Sequence, residues 1–198
     1  PPKQPSSFES LQEGLRRMKA LEPDFISVTS GAGGSAGGVS TCQVATFLKN
    51  ELGVEPLAHL ICMGSDKEKM TASLDELFAA GIQNVLALRG DRSPYRAPSA
   101  DFPHASDLAA FIRGQYGSFG ISGACYPEGH AEAESLAADI RNLRIKQEAG
   151  VSHLATQLFF DNAKFYRFVN MARKECARAR SSGRWLFPAP ACPASSPG

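Results

Sequence analysis

Apolar positions recur along the chain in two alternating periods. Phe8, Leu11, Leu15, Met18 and Leu21 repeat every three or four residues behind Ser6 and Glu9, a pair with capping-box spacing. They predict an amphipathic helix that Pro23 stops. The β-branched run Phe25 to Thr29 then predicts a short strand, and Ser40 or Thr41 caps a second helix that Gly53 closes. The alternation continues with a strand over Pro56 to Cys62 and a helix over Asp66 to Ala80, followed by Gly81. Next come a strand over Asn84 to Leu88 and a helix over Ser106 to Tyr116, then a strand over Phe119 to Cys125 and a helix over Ala131 to Ala149. A strand over His153 to Leu158 and a helix over Asn162 to Lys174 complete the pattern. Strands separated by helices imply crossovers and a parallel sheet, hence an α/β fold, either doubly wound or a (βα)8 barrel. Periodicity alone does not choose between the two.

Arg89 to Ala105 is a long loop rich in proline and serine, and such loops within α/β domains usually carry function. Beyond residue 174 the periodicity fails, so the reading divides the chain into 1–174, an α/β domain, and 175–198, a disordered or unrelated tail rich in Arg, Pro, Ser and Ala.

Composition adds little beyond this. In 198 residues, 43% are apolar and 21% charged, as in globular proteins. The 21 basic and 20 acidic residues leave a formal charge of +1, which favours neither nucleic acid nor an anionic membrane as partner. Cys42, Cys62, Cys125, Cys176 and Cys192 are widely spaced, with no CxxC pair and no metal-ligand cluster, and fit reduced thiols in the cytoplasm. No apolar run nears the roughly 18 residues of a membrane span, and the N-terminal sequence has no signal-peptide core.

The informative polar residues sit at one edge. Thr29, His59, Arg89 with Asp91, Tyr126 with Glu128 and His130, and Gln157 all fall at or just past the C-terminal end of an expected strand, where α/β folds bind ligands. Taken singly, each has an ordinary reading: His59 as a satisfied core histidine, Asp139, Asn142 and Lys146 as one solvated helix face. GAGGSAGG, residues 31 to 38, imitates a dinucleotide fingerprint, but no acid closes the next strand, and a flexible turn explains it as well. ALRGD, 87 to 91, sets a guanidinium, a bare backbone and a carboxylate at one strand end, suited to the edge of a heterocycle. YPEGH, 126 to 130, offers a stackable ring, an acid and an imidazole in one turn. GxSxG, HExxH and P-loop motifs are absent, which leaves redox or group transfer.

Taken together and in order, PDFISVTSGAGGS, AHLICMG, GIQNVLALRGD, ASDLAAFIR, YPEGHAEA and ATQLFFD resemble methylenetetrahydrofolate reductase of the short bacterial type, over Pro1 to Asn170. The resemblance implies a (βα)8 TIM-type barrel, here incomplete with about five of eight βα units. It implies an oxidoreductase of one-carbon metabolism that uses FAD and NADH or NADPH to convert 5,10-methylenetetrahydrofolate to 5-methyltetrahydrofolate for methionine synthesis. The two substrates take turns on one flavin face in ping-pong hydride transfer. Carried over by position, Thr29, Ala32, His59, Arg89, Gly90, Asp91, His104, Ala105, Tyr126, His130, Ala133, Asp139, Asn142 and Lys146 would contact FAD. Asp91 would tune the flavin and stabilise a cationic form of the folate, and Asp91 and Gln157 would bind substrate. Homo-oligomers are common in the family.

Ser30 and His104 stand where the family usually has tyrosine, and Ile145 where it often has a basic residue. Family members open their barrel with a strand reading approximately EFFPP, whose glutamate is a general acid, whereas this sequence starts at Pro1-Pro2. The corresponding expectation is a truncated or frame-shifted product whose turnover is lower by roughly 100- to 10,000-fold. An alternative is a non-catalytic flavin-binding fragment or partner subunit.

Overall fold

The structure is a computed structural model, and it describes residues 6–30, 39–92 and 98–176. Ala32 and the rest of the glycine stretch lie outside the described residues, as does the expected tail from residue 177 onward. The chain divides into two compact units between Ser122 and Gly123.

The first unit opens with helix α1 (Ser6–Lys19), then β1 (Phe25–Val28) and α2 (Thr41–Thr46), which runs directly into a π-helical stretch, Phe47–Leu52. It continues with β2 (Glu55–Ile61), α3 (Lys67–Ala79), β3 (Asn84–Leu88) and α4 (Ala105–Gln115). Strand β4 (Gly120–Cys125) starts here and ends in the second unit, which adds α5 (Leu136–Glu148), β5 (His153–Thr156) and α6 (Asn162–Cys176). The five strands are parallel, and their order in the sheet is β1-β2-β3-β4-β5. A doubly wound sheet reverses its strand order at a switch point, whereas a (βα)8 barrel adds each strand beside the last. The consecutive order is that of a (βα)8-type sheet, in five of its units.

Two faces of the first three strands follow from the register. Ser27 pairs with Leu57 and Leu57 with Asn84, so Ser27, Leu57, His59 and Leu86 lie on one face. Ile26, Val28, Ala58, Val85 and Ala87 fill the other. Ile26 and Val28 share a core there with Leu15, Val44, Phe47 and Leu48. Leu48 and Leu74 are fully buried, and each such leucine contributes roughly 1.5–3 kcal/mol by leaving water.

Several expected boundaries move. The second helix ends at Gly53 as expected, but its last half is π-helical, closed by the Gly53 N–H bonding to the Leu48 carbonyl with Gly53 at φ +66°. Helix α5 starts at Leu136 rather than Ala131, because Ser135 caps it by accepting the Ala138 N–H at 3.1 Å. Strand β5 stops at Thr156, not Leu158, and residues 157–159 continue without regular structure. No helix among the described residues is long and apolar enough to cross a membrane.

Candidate functional site

In the first unit the candidate residues gather where β2 and β3 end. The backbone past β3 is tied to the backbone past β2, with the Cys62 N–H bonding to the Leu88 carbonyl at 3.0 Å and the Met63 N–H to the Arg89 carbonyl at 2.8 Å. Gly90 has φ +88°, and a Cβ there would lie 2.5 Å from Ile61 Cγ2 and 3.2 Å from Met63 Cβ. Only glycine lets this backbone pass so close to β2. Arg89 donates from Nε to the Gly90 carbonyl at 3.2 Å, and Asp91 follows exposed to solvent. The expected juxtaposition of guanidinium, bare backbone and carboxylate is therefore present.

His59 is half-buried on β2, and its Nε2 lies 2.6 Å from the Ser27 hydroxyl on β1. Burial holds its pKa below the usual histidine value, so the ring is neutral at pH 7. Thr29 is exposed just past β1, and its carbonyl accepts the Thr41 hydroxyl at 3.4 Å. His104 caps α4, its backbone N–H donating to Asp107 Oδ2 at 2.8 Å, and Ala105 is the first helical residue. The second half of the long loop is anchored: Ser99 donates to the Ser65 carbonyl, the Lys67 N–H donates to Asp101 at 3.1 Å, and Phe102 is buried against Phe111. Residues 93–97 lie outside the described residues.

Beneath this anchored segment sits Cys62, buried with its Sγ 3.4 Å from the Phe102 carbonyl. Desolvation pushes its pKa up to about 11, so the thiol stays protonated and unreactive at neutral pH.

In the second unit, Tyr126 and His130 meet edge to face at 4.6 Å. His130 Nδ1 accepts the Glu132 N–H at 3.0 Å, which places the proton of the neutral ring on Nε2. The His130 backbone N–H donates to Asp139 Oδ2 at 3.0 Å, and Ala133 closes the same turn by donating to the His130 carbonyl at 2.9 Å. Asp139 is 7% exposed, so its carboxylate holds the YPEGH turn against α5. Lys146 Nζ donates to the Ala124 carbonyl of β4 at 2.7 Å. Its pKa is lowered by burial, an effect that Asp139 and Cys125 oppose. Asn142 is exposed while Asp139 is buried, so the expected shared face presents these residues at different depths. Gln157 is exposed, its backbone N–H bonded to the Cys125 carbonyl at 2.8 Å. Glu128 and Lys164 pair at 3.0 Å on the surface of this unit.

The sequence reading did not single out Ser27, Cys62 or Asp107. Ser27 had a usable signal, because it is the polar residue of an otherwise apolar run and shares its parity along β1 with the face that carries His59. Cys62 gave none, since its role comes from a loop that folds over it from 40 residues downstream.

The family model described as methylenetetrahydrofolate reductase matches residues 1–180. The maize protein named methylenetetrahydrofolate reductase (NADH) 1 is 38% identical over 188 residues, covering 88% of this chain and 32% of its own length. The 5,10-methylenetetrahydrofolate reductases of Pectobacterium carotovorum and Escherichia coli K12 are 36% and 34% identical, over 85% and 90% of this chain. They are covered over 55% and 58% of their own lengths, so the chain spans from about a third to under three-fifths of these relatives. With the family motifs standing in order at the ends of consecutive parallel strands, the chain belongs to the methylenetetrahydrofolate reductase family.

Proposed function

We propose that this chain binds FAD and supports the reduction of 5,10-methylenetetrahydrofolate to 5-methyltetrahydrofolate with NADH or NADPH as electron donor. The observation that carries the reading is the end of β3, where Gly90 brings the backbone against β2 and leaves Asp91 exposed beyond it, in a chain that the family model matches over most of its length.

The donor set of each unit suits a flavin dinucleotide. In the first unit the imidazole of His59, the Arg89 guanidinium, the Gly90 backbone, Thr29 and the start of α4 at His104 and Ala105 offer donors for ring edges and anionic oxygens. In the second unit Tyr126 and His130 supply an aromatic edge and an Nε2–H donor, and Lys146 supplies a cation. Ala32, Ala133 and Asn142 complete the proposed flavin contacts. When bound, the flavin supplies the redox chemistry, accepting electrons from one substrate and passing them to the other. Asp91 contributes a fixed negative charge that stabilises a cationic folate, and Gln157 offers an amide able to hydrogen-bond the folate ring or the nicotinamide.

The test is the visible spectrum of the purified chain after incubation with FAD and desalting, beside an Asp91→Ala variant. The expected outcome is a retained flavin spectrum that NADH bleaches and an electron acceptor restores, with less flavin retained by the variant. A chain that emerges folded and colourless refutes the reading.

A further inference from the structure

We propose that Ser27 is a positioning residue that fixes the tautomer of His59, so that the imidazole presents Nδ1–H as a donor to its ligand. The inference rests on the flavin reading above only for the identity of that ligand.

Ser27 on β1 and His59 on β2 belong to neighbouring parallel strands, and the register puts them on one face, with Ser27 opposite Leu57 and His59 two residues farther along. The contact is therefore built into the strand pairing. The two atoms, Ser27 Oγ and His59 Nε2, are 2.6 Å apart. A serine hydroxyl both donates and accepts, and a neutral imidazole nitrogen does one or the other according to its tautomer. In the arrangement proposed, the hydroxyl turns its proton onto the ring, so Ser27 donates and Nε2 accepts. A neutral imidazole that accepts at Nε2 carries its proton on Nδ1. Burial, which disfavours the imidazolium, keeps the ring in the neutral form where this distinction exists. With Nε2 occupied by Ser27, Nδ1–H is the ring's remaining polar group, and as a donor it suits a carbonyl or phosphate oxygen rather than an N–H edge.

The experiment has two arms on the full chain. Long-range proton–nitrogen NMR of the ligand-free protein reads the tautomer of His59, assigned by its loss in His59→Gln, in the wild type, Ser27→Ala and Ser27→Thr. Fluorescence titration with FAD reads the affinity of the same proteins. The expected result is an Nδ1–H ring in the wild type and in Ser27→Thr, and a shift toward Nε2–H in Ser27→Ala. FAD affinity should be about two- to tenfold weaker in Ser27→Ala, the worth of one hydrogen bond, and restored in Ser27→Thr. An Nε2–H ring in the wild type, or an Nδ1–H ring unchanged in Ser27→Ala, overturns the proposal. A shifted tautomer with unchanged FAD affinity overturns the donor role toward the ligand. If the tautomer responds as expected while the wild type binds no FAD, the control of His59 by Ser27 stands and the flavin reading falls.

Discussion

A methyl group at Gly90 has nowhere to go. It would stand 2.5 Å from a branch of Ile61, on a backbone whose φ of +88° already disfavours any side chain. Gly90→Ala is expected to cost roughly 1–3 kcal/mol, read as a lowered midpoint in urea unfolding, and to lower flavin retention together with stability. An unchanged midpoint would mean that the close approach of the two backbones is absent in solution. The glycine was visible in the ALRGD motif, but its reason was not, because Ile61 comes from a different strand whose register no local pattern records. Asp139 shows the same limit from the other side. Its spacing along the helix was legible, yet its burial and its bond to the His130 backbone depend on how a turn nine residues upstream folds back.

At the scale of the element, caps explain both what the sequence showed and what it concealed. Ser40 and Thr41 were equivalent candidates for the start of the second helix. The structure separates them: the Gln43 N–H donates to Ser40 Oγ at 3.0 Å while the Ser40 N–H donates to Gln43 Oε1 at 2.7 Å, and Thr41 reaches instead to the Thr29 carbonyl. Ser40→Ala is therefore expected to destabilise the chain by about 1 kcal/mol and Thr41→Ala by less, compared by thermal melts of the two variants. Equal losses would contradict the assignment of the cap. Residues 131–134 read as helix because alanine and glutamate favour it, but Ser135 supplies a stronger start signal and the preceding turn is held by Asp139. The π-helical stretch at Phe47–Leu52 was not legible, since an apolar periodicity near 3.6 cannot reveal one wider turn.

Across the whole molecule, the alternation of strand and helix and the polar residues at the strand ends were legible because each is a local pattern, repeated five times. The choice of a barrel-type order did not follow from those patterns, because it is decided by which strands pair, and came instead from the family resemblance of the motifs. Both units bury acidic protons. Cys62 is pushed up to about 11 in the first, Cys125 to about 12 and Cys176 to about 11 in the second, each by desolvation. Tyr116, which also donates to Asp75, is raised to about 12. In the unfolded chain these groups lose protons from about pH 9 for the thiols and 10 for the phenol, so above those values the unfolded state is favoured progressively. The stability they confer is complete below pH 9 and is lost as pH rises toward 12. His59, whose pKa is lowered, acts in the opposite direction, its contribution being lost as pH falls below the usual histidine value. Melting temperatures measured from pH 7 to 11 are expected to hold level and then decline beyond 9, and a level profile to 11 would show the thiols to be exposed.

One of the three N–H donors of the Lys146 ammonium is held by the Ala124 carbonyl. An anion that recruits it can bind at another of those donors while the bond to the strand stays in place. The strand thus orders this long side chain before any ligand arrives, and part of the conformational entropy that binding would otherwise cost is already spent in folding.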